Sequence, residues 1–127
     1  YNTAFTAEEK ARIQTTTVDN SVASTGYSSN SYACANTSDK VFLLSYAEAT
    51  SATYGLSTTT TRQLESSAYA QSQGVWTHVY GYSGWLLRSP SSNASSARHV
   101  NYVGNFYGNY DVSHTDVGVV PALWISL

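Results

Sequence analysis

Apolar positions follow a helical rhythm in the first half of the chain and the two-residue rhythm of strands in the second half. Thr6 stands three residues before Glu9, the spacing of a helix-capping box, and an apolar helical pattern follows. This pattern predicts a first helix over residues 7–15. The next segment, residues 15–38, is rich in Ser, Thr and Asn and too polar for a long element, so it predicts a packed loop with one short strand.

Two further helices are expected before the strands. The bulky apolar run Val41–Leu44 predicts a buried strand, and Ser45 with Glu48 three residues later predicts a helix with its own capping box. Thr60 is a candidate N-cap for a third helix, which Gly74 would end.

After Val75, short β-type runs are separated by Gly, Pro, Asn or Ser, which predicts antiparallel strands joined by hairpins and loops. The runs are GWLLRSP, RHVNYVG, NFYGNYDV and VPALWISL, which begin at residues 84, 98, 105 and 120. Helices early and strands late favour the α+β class. A length of 127 residues fits a single domain, 1–127. Because the chain begins with Tyr and no signal-like segment follows, we expect it to be the C-terminal part of a longer protein.

Charged residues form 11% of the chain, against about 25% in typical domains, whereas Ser and Thr number 35. The surface is therefore expected to consist largely of hydroxyl and amide groups. The six basic residues are scattered and the net charge is −2, which excludes a basic track for nucleic acid. No apolar run is long enough for membrane insertion by this domain. Cys34 is the only cysteine and is expected to be a small buried residue without a role.

Candidate catalytic and metal-binding residues are few. Ser113, His114 and Asp116 are neighbours in sequence, but the members of a catalytic triad come from separate elements. The histidines His78, His99 and His114 lack the close spacing of zinc ligands, and the acidic residues are too dispersed to predict calcium. We therefore expect no metal, no cofactor and no enzymatic activity. A hydrolase using His114 or His99 with a nearby Ser is an alternative.

The segment Ser91–Asp116 has an unusual composition, because 16 of its 26 residues are Ser, Asn, Tyr, His or Asp. Tyr offers rigid contact area, and Ser and Asn offer adaptable hydrogen bonds, which is the chemistry of antibody paratopes. The segment is therefore a candidate binding surface. An alternative is a surface that merely avoids charge, since six of the eleven tyrosines precede residue 70.

The segments GYSGWLLRSP and GVVPALWISL, residues 81–90 and 118–127, resemble domains of C-type-lectin-like fold, of the subtype named after the formylglycine-generating enzyme. FTAEEKARI, TSDKVFLLSYAEA and SAYAQSQG, further upstream, resemble the helices and apolar strand of the same family. The resemblance implies a C-type-lectin-like fold and a place in bacterial surface or phage proteins.

In variable proteins of diversity-generating retroelements, which belong to this family, the counterparts of residues 81–90 and 118–127 frame a variable region. Asn codons in that region are rewritten, mostly to Tyr, Ser, Asp or His. The resemblance thus implies a diversified ligand-binding surface in this chain. Two positions depart from the family: Val120 replaces an Arg, and Trp85 is followed by Leu86 where the family often has paired Trp. The chemistry of the namesake enzyme needs paired cysteines, so it does not transfer to a chain with Cys34 alone.

The sequence therefore predicts a non-enzymatic recognition domain for a protein or glycan ligand on a cell or phage surface, with an extracellular or virion location. The alternative is a structural or spacer module of a surface or tail protein. The expected ligand contacts are Tyr80, Tyr82, Ser92, Asn93, Ser95, Ser96, His99, Asn101, Tyr102, Asn105, Tyr107, Asn109, Tyr110, Ser113, His114 and Asp116. Residues expected to pack inside are Trp85, Leu87, Val100, Val103, Phe106, Val112, Leu123, Trp124 and Ile125, with Arg88 in an ion pair or bonded to loop carbonyls.

Overall fold

Side-chain caps mark the start of four of the five α-helices. Thr6 Oγ1 accepts a hydrogen bond from the amide of Glu9 at 3.2 Å, and the Glu9 carboxylate accepts the amide of Thr6 at 2.8 Å. The computed structural model describes all residues, 1–127. Its helices are α1 Ala7–Arg12, α2 Val22–Thr25, α3 Tyr46–Ala49, α4 Thr59–Arg62 and α5 Ala68–Ser72, with a 3-10 helix at Ala52–Tyr54.

The strands are short, and most of them pair in twos. They are β1 Ile13–Gln14, β2 Thr16–Val18, β3 Thr37–Asp39, β4 Phe42–Leu43, β5 Leu64–Glu65, β6 Tyr82–Ser83, β7 Trp85–Pro90, β8 Ser96–Val100, β9 Phe106–Asp111, β10 Pro121–Ala122 and β11 Trp124–Ile125. All named pairs are antiparallel: β1 with β11, β4 with β10, β2 with β3, β5 with β6, and the three-stranded sheet β7-β8-β9. The expected mixture of short helices and antiparallel strands is confirmed. The expected separation is not, because β1 to β5 lie before Val75, in the part of the chain where mainly helices were expected.

The helix predictions were right for two of the three segments. Helix α1 and helix α3 begin as expected with their capping boxes, although α1 ends at Arg12. The third prediction was wrong, because residues 60–74 form α4, β5 and α5 rather than one helix. Threonine is a poor helix former, and Ser67 starts a new helix by accepting the amide of Ala70 at 3.1 Å.

The apolar core is small and is centred on β7. Trp85, Leu87, Val100 and Ala49 form its fully buried cluster, and Phe106 is among the partly buried residues that pack against it. Alternate positions of β7 are buried, as expected for a strand with one face on the core.

Several residues expected inside lie at the surface. Trp124 and Ile125 are 46% and 55% exposed, because β11 pairs only with β1 at an edge of the fold. Val103 and Val112 lie in turns and are exposed as well. Cys34, expected to be buried, lies exposed in a polar loop. These corrections leave the core narrower than the apolar pattern indicated.

Arginines supply much of the remaining cohesion. Arg88 pairs with the Glu48 carboxylate and donates to the carbonyls of Leu43 at 2.6 Å and Asp19 at 2.9 Å, which confirms its expected role. Glu48 in turn accepts the amide of Ser45 at 2.7 Å. The ion pair therefore ties the start of α3 to β7 and to the loop before α2.

Arg62 likewise connects separate elements through its hydrogen bonds. Its Nε donates to the carbonyl of Gly104 at 2.8 Å and its Nη1 to the carbonyl of Leu56 at 2.8 Å. The backbone carbonyl of Arg62 accepts Trp85 Nε1 at 3.1 Å, and its guanidinium lies 4.4 Å from the ring centre of Phe106. Arg62 thus joins α4, the core and the turn between β8 and β9.

Replacing Trp85 by Ala should lower the free energy of unfolding by about 3 to 5 kcal/mol, because a buried indole and its hydrogen bond are lost. Replacing Trp124 by Ala should cost only about 1 to 2 kcal/mol, since close to half of that side chain is already in water. Urea unfolding followed by circular dichroism measures both. An equal loss in the two variants would contradict this description of the core.

Candidate functional site

A β-bulge brings three predicted ligand contacts together on the outer face of the sheet. His99 pairs with Tyr107 and Ala97 with Tyr110, so β9 has one residue more than β8 between these pairs. Because of the extra residue, Tyr107 and Tyr110 both face the side of the sheet that carries His99. The ring of His99 lies 5.7 Å from that of Tyr107 and 4.7 Å from that of Tyr110.

An open cleft of about 330 Å³ lies beside these rings. Its lining includes five of the predicted contacts, which are His99, Asn101, Tyr102, Tyr110 and Asp116. The other lining residues are Trp76, Gly84 and Val117. The cleft therefore joins side chains from β8, from β9, from the turn between them and from the loops before β6 and after β9.

Aromatic rings stand on both sides of the cleft. On one side, His78 stacks on Tyr102 with ring centres 4.4 Å apart, and Trp76 meets Tyr102 edge to face at 5.5 Å. Tyr80, highly exposed in a turn, lies 5.0 Å from His78. On the other side, His114 meets Tyr110 at 5.3 Å. Ring-on-ring contacts hold these side chains in defined positions.

Asp116 places a carboxylate at the mouth of the cleft. Its Oδ1 accepts the hydroxyl of Tyr110 at 2.6 Å, and its backbone carbonyl accepts the amide of Trp76 at 2.8 Å. The hydrogen bond from Tyr110 lowers the pKa of Asp116 below its usual 3.8. Burial and the bond to Asp116 together raise the pKa of Tyr110 to about 12. At neutral pH the pair is therefore a neutral phenol donating to an anionic carboxylate.

The other polar groups of the cleft serve the fold in part. Asn101 Oδ1 accepts the amides of Val103 at 3.1 Å and Asn105 at 2.9 Å, which closes the turn between β8 and β9. Burial lowers the pKa of His99 below its usual 6.5, so its imidazole is mostly neutral at pH 7.

The turn also depends on a glycine. Gly104 has a φ of 81°, and a Cβ there would lie 1.9 Å from the carbonyl oxygen of Thr59. Only glycine allows α4 to approach the turn this closely. The turn that contains Asn101 and Tyr102 therefore packs closely against α4.

The remaining predicted contacts lie away from the cleft or at its margin. Ser92, Asn93, Ser95 and Ser96 lie at the opposite end of the β7–β8 hairpin, where Asn93 Oδ1 accepts the amide of Ser95 at 3.0 Å. Tyr82 lies in β6, paired with Glu65. Six exposed residues contact the cleft residues or the rings packed on them, or are chain neighbours of such residues, and together they are called the rim: Tyr80, Asn105, Tyr107, Asn109, Ser113 and His114.

Sequence reasoning missed two lining residues, Trp76 and Val117, and also His78, which stacks on Tyr102. Trp76 lies 15 residues before the polar segment Ser91–Asp116, so composition did not select it. The available signal was the residue type, since Trp is enriched among contact residues, and the structure shows its indole 52% exposed.

The hydrolase alternative requires a serine hydroxyl hydrogen-bonded to a histidine. His114 Nδ1 lies 3.6 Å from Asp116 Oδ1, and no serine hydroxyl hydrogen-bonds to a histidine. No group of three His, Cys, Asp or Glu side chains is arranged to hold a metal ion. The cleft instead offers aromatic surface and a single carboxylate.

The structure defines a small mixed α/β domain with an aromatic cleft on one face of its central sheet. Over residues 1–127 the chain matches the family described as Domain of unknown function (DUF6273), and it belongs to that family. No curated protein and no solved structure is detectably similar to it. None of its helices combines the length and apolar character needed to cross a membrane.

Replacing Tyr110 by Phe should raise the pKa of Asp116 toward 3.8, because the hydrogen bond that lowers it most is lost. Carboxyl-detected NMR titration measures this pKa. Asp111 is the internal control, since its own pKa is lowered mainly by the amide of Ser113 and should not move. An unchanged pKa of Asp116 would contradict the pairing described above.

Proposed function

We propose that this chain is a non-enzymatic recognition domain whose contact surface is the aromatic cleft and its rim. The observation that carries the proposal is the convergence of His99, Asn101, Tyr102, Tyr110 and Asp116 on one open cleft. The composition of the sequence and its family resemblance predict these five residues as ligand contacts. Clefts lined by aromatic side chains with a few polar groups are typical of binding sites.

We also propose that the fold is C-type-lectin-like and of the formylglycine-generating-enzyme subtype. In support, the segment that resembles the family's framing strand becomes the core strand β7, and the C-terminal segment supplies β10 and β11. Val120, which stands where the family has an Arg, packs on the apolar core cluster. An apolar contact thus takes the place of a polar network at that position.

Diversification by a retroelement is part of this proposal. Tyr107 is 49% exposed, and Asn109, Ser113 and His114 are exposed on the rim. None of them belongs to the buried cluster around Trp85. Substitutions at such positions usually change stability by less than about 0.5 kcal/mol, so this surface tolerates variation while the core holds the fold. The ligand is a protein or glycan on a cell or phage surface, which places the domain outside the cell or on a virion.

A library tests this function without knowledge of the natural ligand. Randomising Tyr102, Tyr107, Asn109, Tyr110, Ser113 and His114 should leave most members folded, and selection by surface display against a protein target should enrich binders. The matched control library randomises six exposed positions elsewhere, which are Gln14, Thr17, Ser38, Thr53, Gln71 and Ser72.

The recognition surface predicts that binders come from the cleft library in clear excess over the control library. Equal yields, or a cleft library in which most members unfold, would contradict the proposed function. Thermal unfolding of the Tyr107→Ser, Tyr110→Ser double variant distinguishes loss of binding from loss of folding. A large loss of stability in this variant would show that the two tyrosines are structural.

A further inference from the structure

The cleft carries one formal charge, and it is negative. Among the lining residues only Asp116 is acidic, and none is Lys or Arg. Arg98 is the neighbour of His99 in β8, but it points to the other side of the sheet. There its guanidinium lies 3.7 Å from the ring centre of Tyr46 and donates to the carbonyl of Thr25 at 2.8 Å. Nothing basic in the chain therefore neutralises the cleft from within its lining.

The carboxylate of Asp116 keeps capacity for an external donor. Tyr110 donates to Oδ1, His114 Nδ1 lies 3.6 Å from the same oxygen, and no side chain donates to Oδ2. The side chain of Asp116 is 52% exposed at the cleft mouth. Its lowered pKa keeps it ionised at neutral pH, so it can accept a charge-assisted hydrogen bond.

Aromatic side chains line the cleft together with this carboxylate. Trp76, Tyr102 and Tyr110 line the cleft, and indole and phenol rings attract cations through their electron-rich faces. Stacking of Tyr102 on His78 fixes one wall of the cleft in advance of binding. A cleft that combines aromatic walls with one carboxylate is suited to an ammonium or guanidinium group.

A sugar is a poorer match for the same cleft. Pyranose hydroxyls need several free polar side chains. Asn101 Oδ1 already accepts two backbone amides, and the hydroxyl of Tyr110 already donates its hydrogen bond to Asp116. The volume of about 330 Å³ is near the lower end of the roughly 300 to 1,000 Å³ usual for ligand pockets. It suits one long side chain better than a larger ligand.

We infer that the cleft binds a basic side chain, Lys or Arg, of a protein partner, with the cation between the aromatic walls and its donors on Asp116. This inference rests on the proposed recognition function and names the chemistry of its partner. The aliphatic stem of the basic residue would contact Trp76 and Val117, while its charged end meets the carboxylate.

Heteronuclear NMR titration of the intact 127-residue chain tests the inference. The probes are Nα-acetyl-arginine amide, its neutral isostere Nα-acetyl-citrulline amide, and methyl β-glucopyranoside. The arginine probe should move the indole resonance of Trp76 and the amide resonances of Tyr102 and Val117. The citrulline probe should bind about three- to tenfold more weakly, and added salt should weaken the arginine complex.

Variants locate the charge that matters. Asp116→Asn should remove the preference for arginine over citrulline, whereas Glu8→Gln, which removes the same charge from an exposed site on α1, should leave it intact. Equal binding of citrulline, or stronger binding of the glucoside at the cleft, would overturn the inference while leaving the recognition function in place. No movement of the cleft resonances with any probe would also overturn it. The library comparison then decides independently whether the proposed function stands.

Discussion

The buried guanidinium of Arg62 is the constraint on which the cleft depends. It donates to the backbone carbonyls of Leu56 and Gly104. The backbone carbonyl of Arg62 accepts the indole N–H of Trp85. A buried charge of this kind is tolerated because its hydrogen bonds are made, and a buried donor or acceptor left unpaired costs about 1 to 3 kcal/mol. The turn that presents Asn101 and Tyr102 is held in place by these bonds.

Elsewhere in the chain, hydrogen bonds of polar groups likewise stabilise the fold. Only 15 of 127 residues are fully buried, and seven of those are polar or charged. With so small an apolar core, caps, serine hydroxyls and the Arg88–Glu48 pair carry cohesion that larger domains obtain from packing. The exposed face of the sheet can then be occupied by aromatic and small polar side chains, because none of them is needed to fill the interior. Scaffold and contact surface are thereby separated.

Local rules predicted the caps of α1 and α3, the strand Trp85–Pro90 and the role of Arg88, since each depends on neighbouring residues or on alternation along one strand. They failed over residues 60–74, where the apolar spacing indicated one helix. There β5 pairs with β6, which is distant in sequence, and this pairing interrupts the helix. They also overestimated the burial of Trp124. For the candidate site, composition selected the segment Ser91–Asp116. Only the β-bulge and the packing of the turn against α4 place His99 against Tyr110, which donates to Asp116, while Ser92 and Asn93 lie at the far end of the hairpin.

The central claim, a recognition surface varied on a fixed scaffold, is tested most directly at the level of the gene. The measurement is to sequence the genomic neighbourhood and align the codons for Ser91–Asp116 with any near-copy beside a reverse-transcriptase gene. The account predicts a near-copy whose mismatches fall on template adenines and cluster in the codons of cleft and rim residues such as Tyr102, Tyr107 and Tyr110. Absence of such a copy, or mismatches spread over all four bases and over the codons of Trp85 and Leu87, would contradict it.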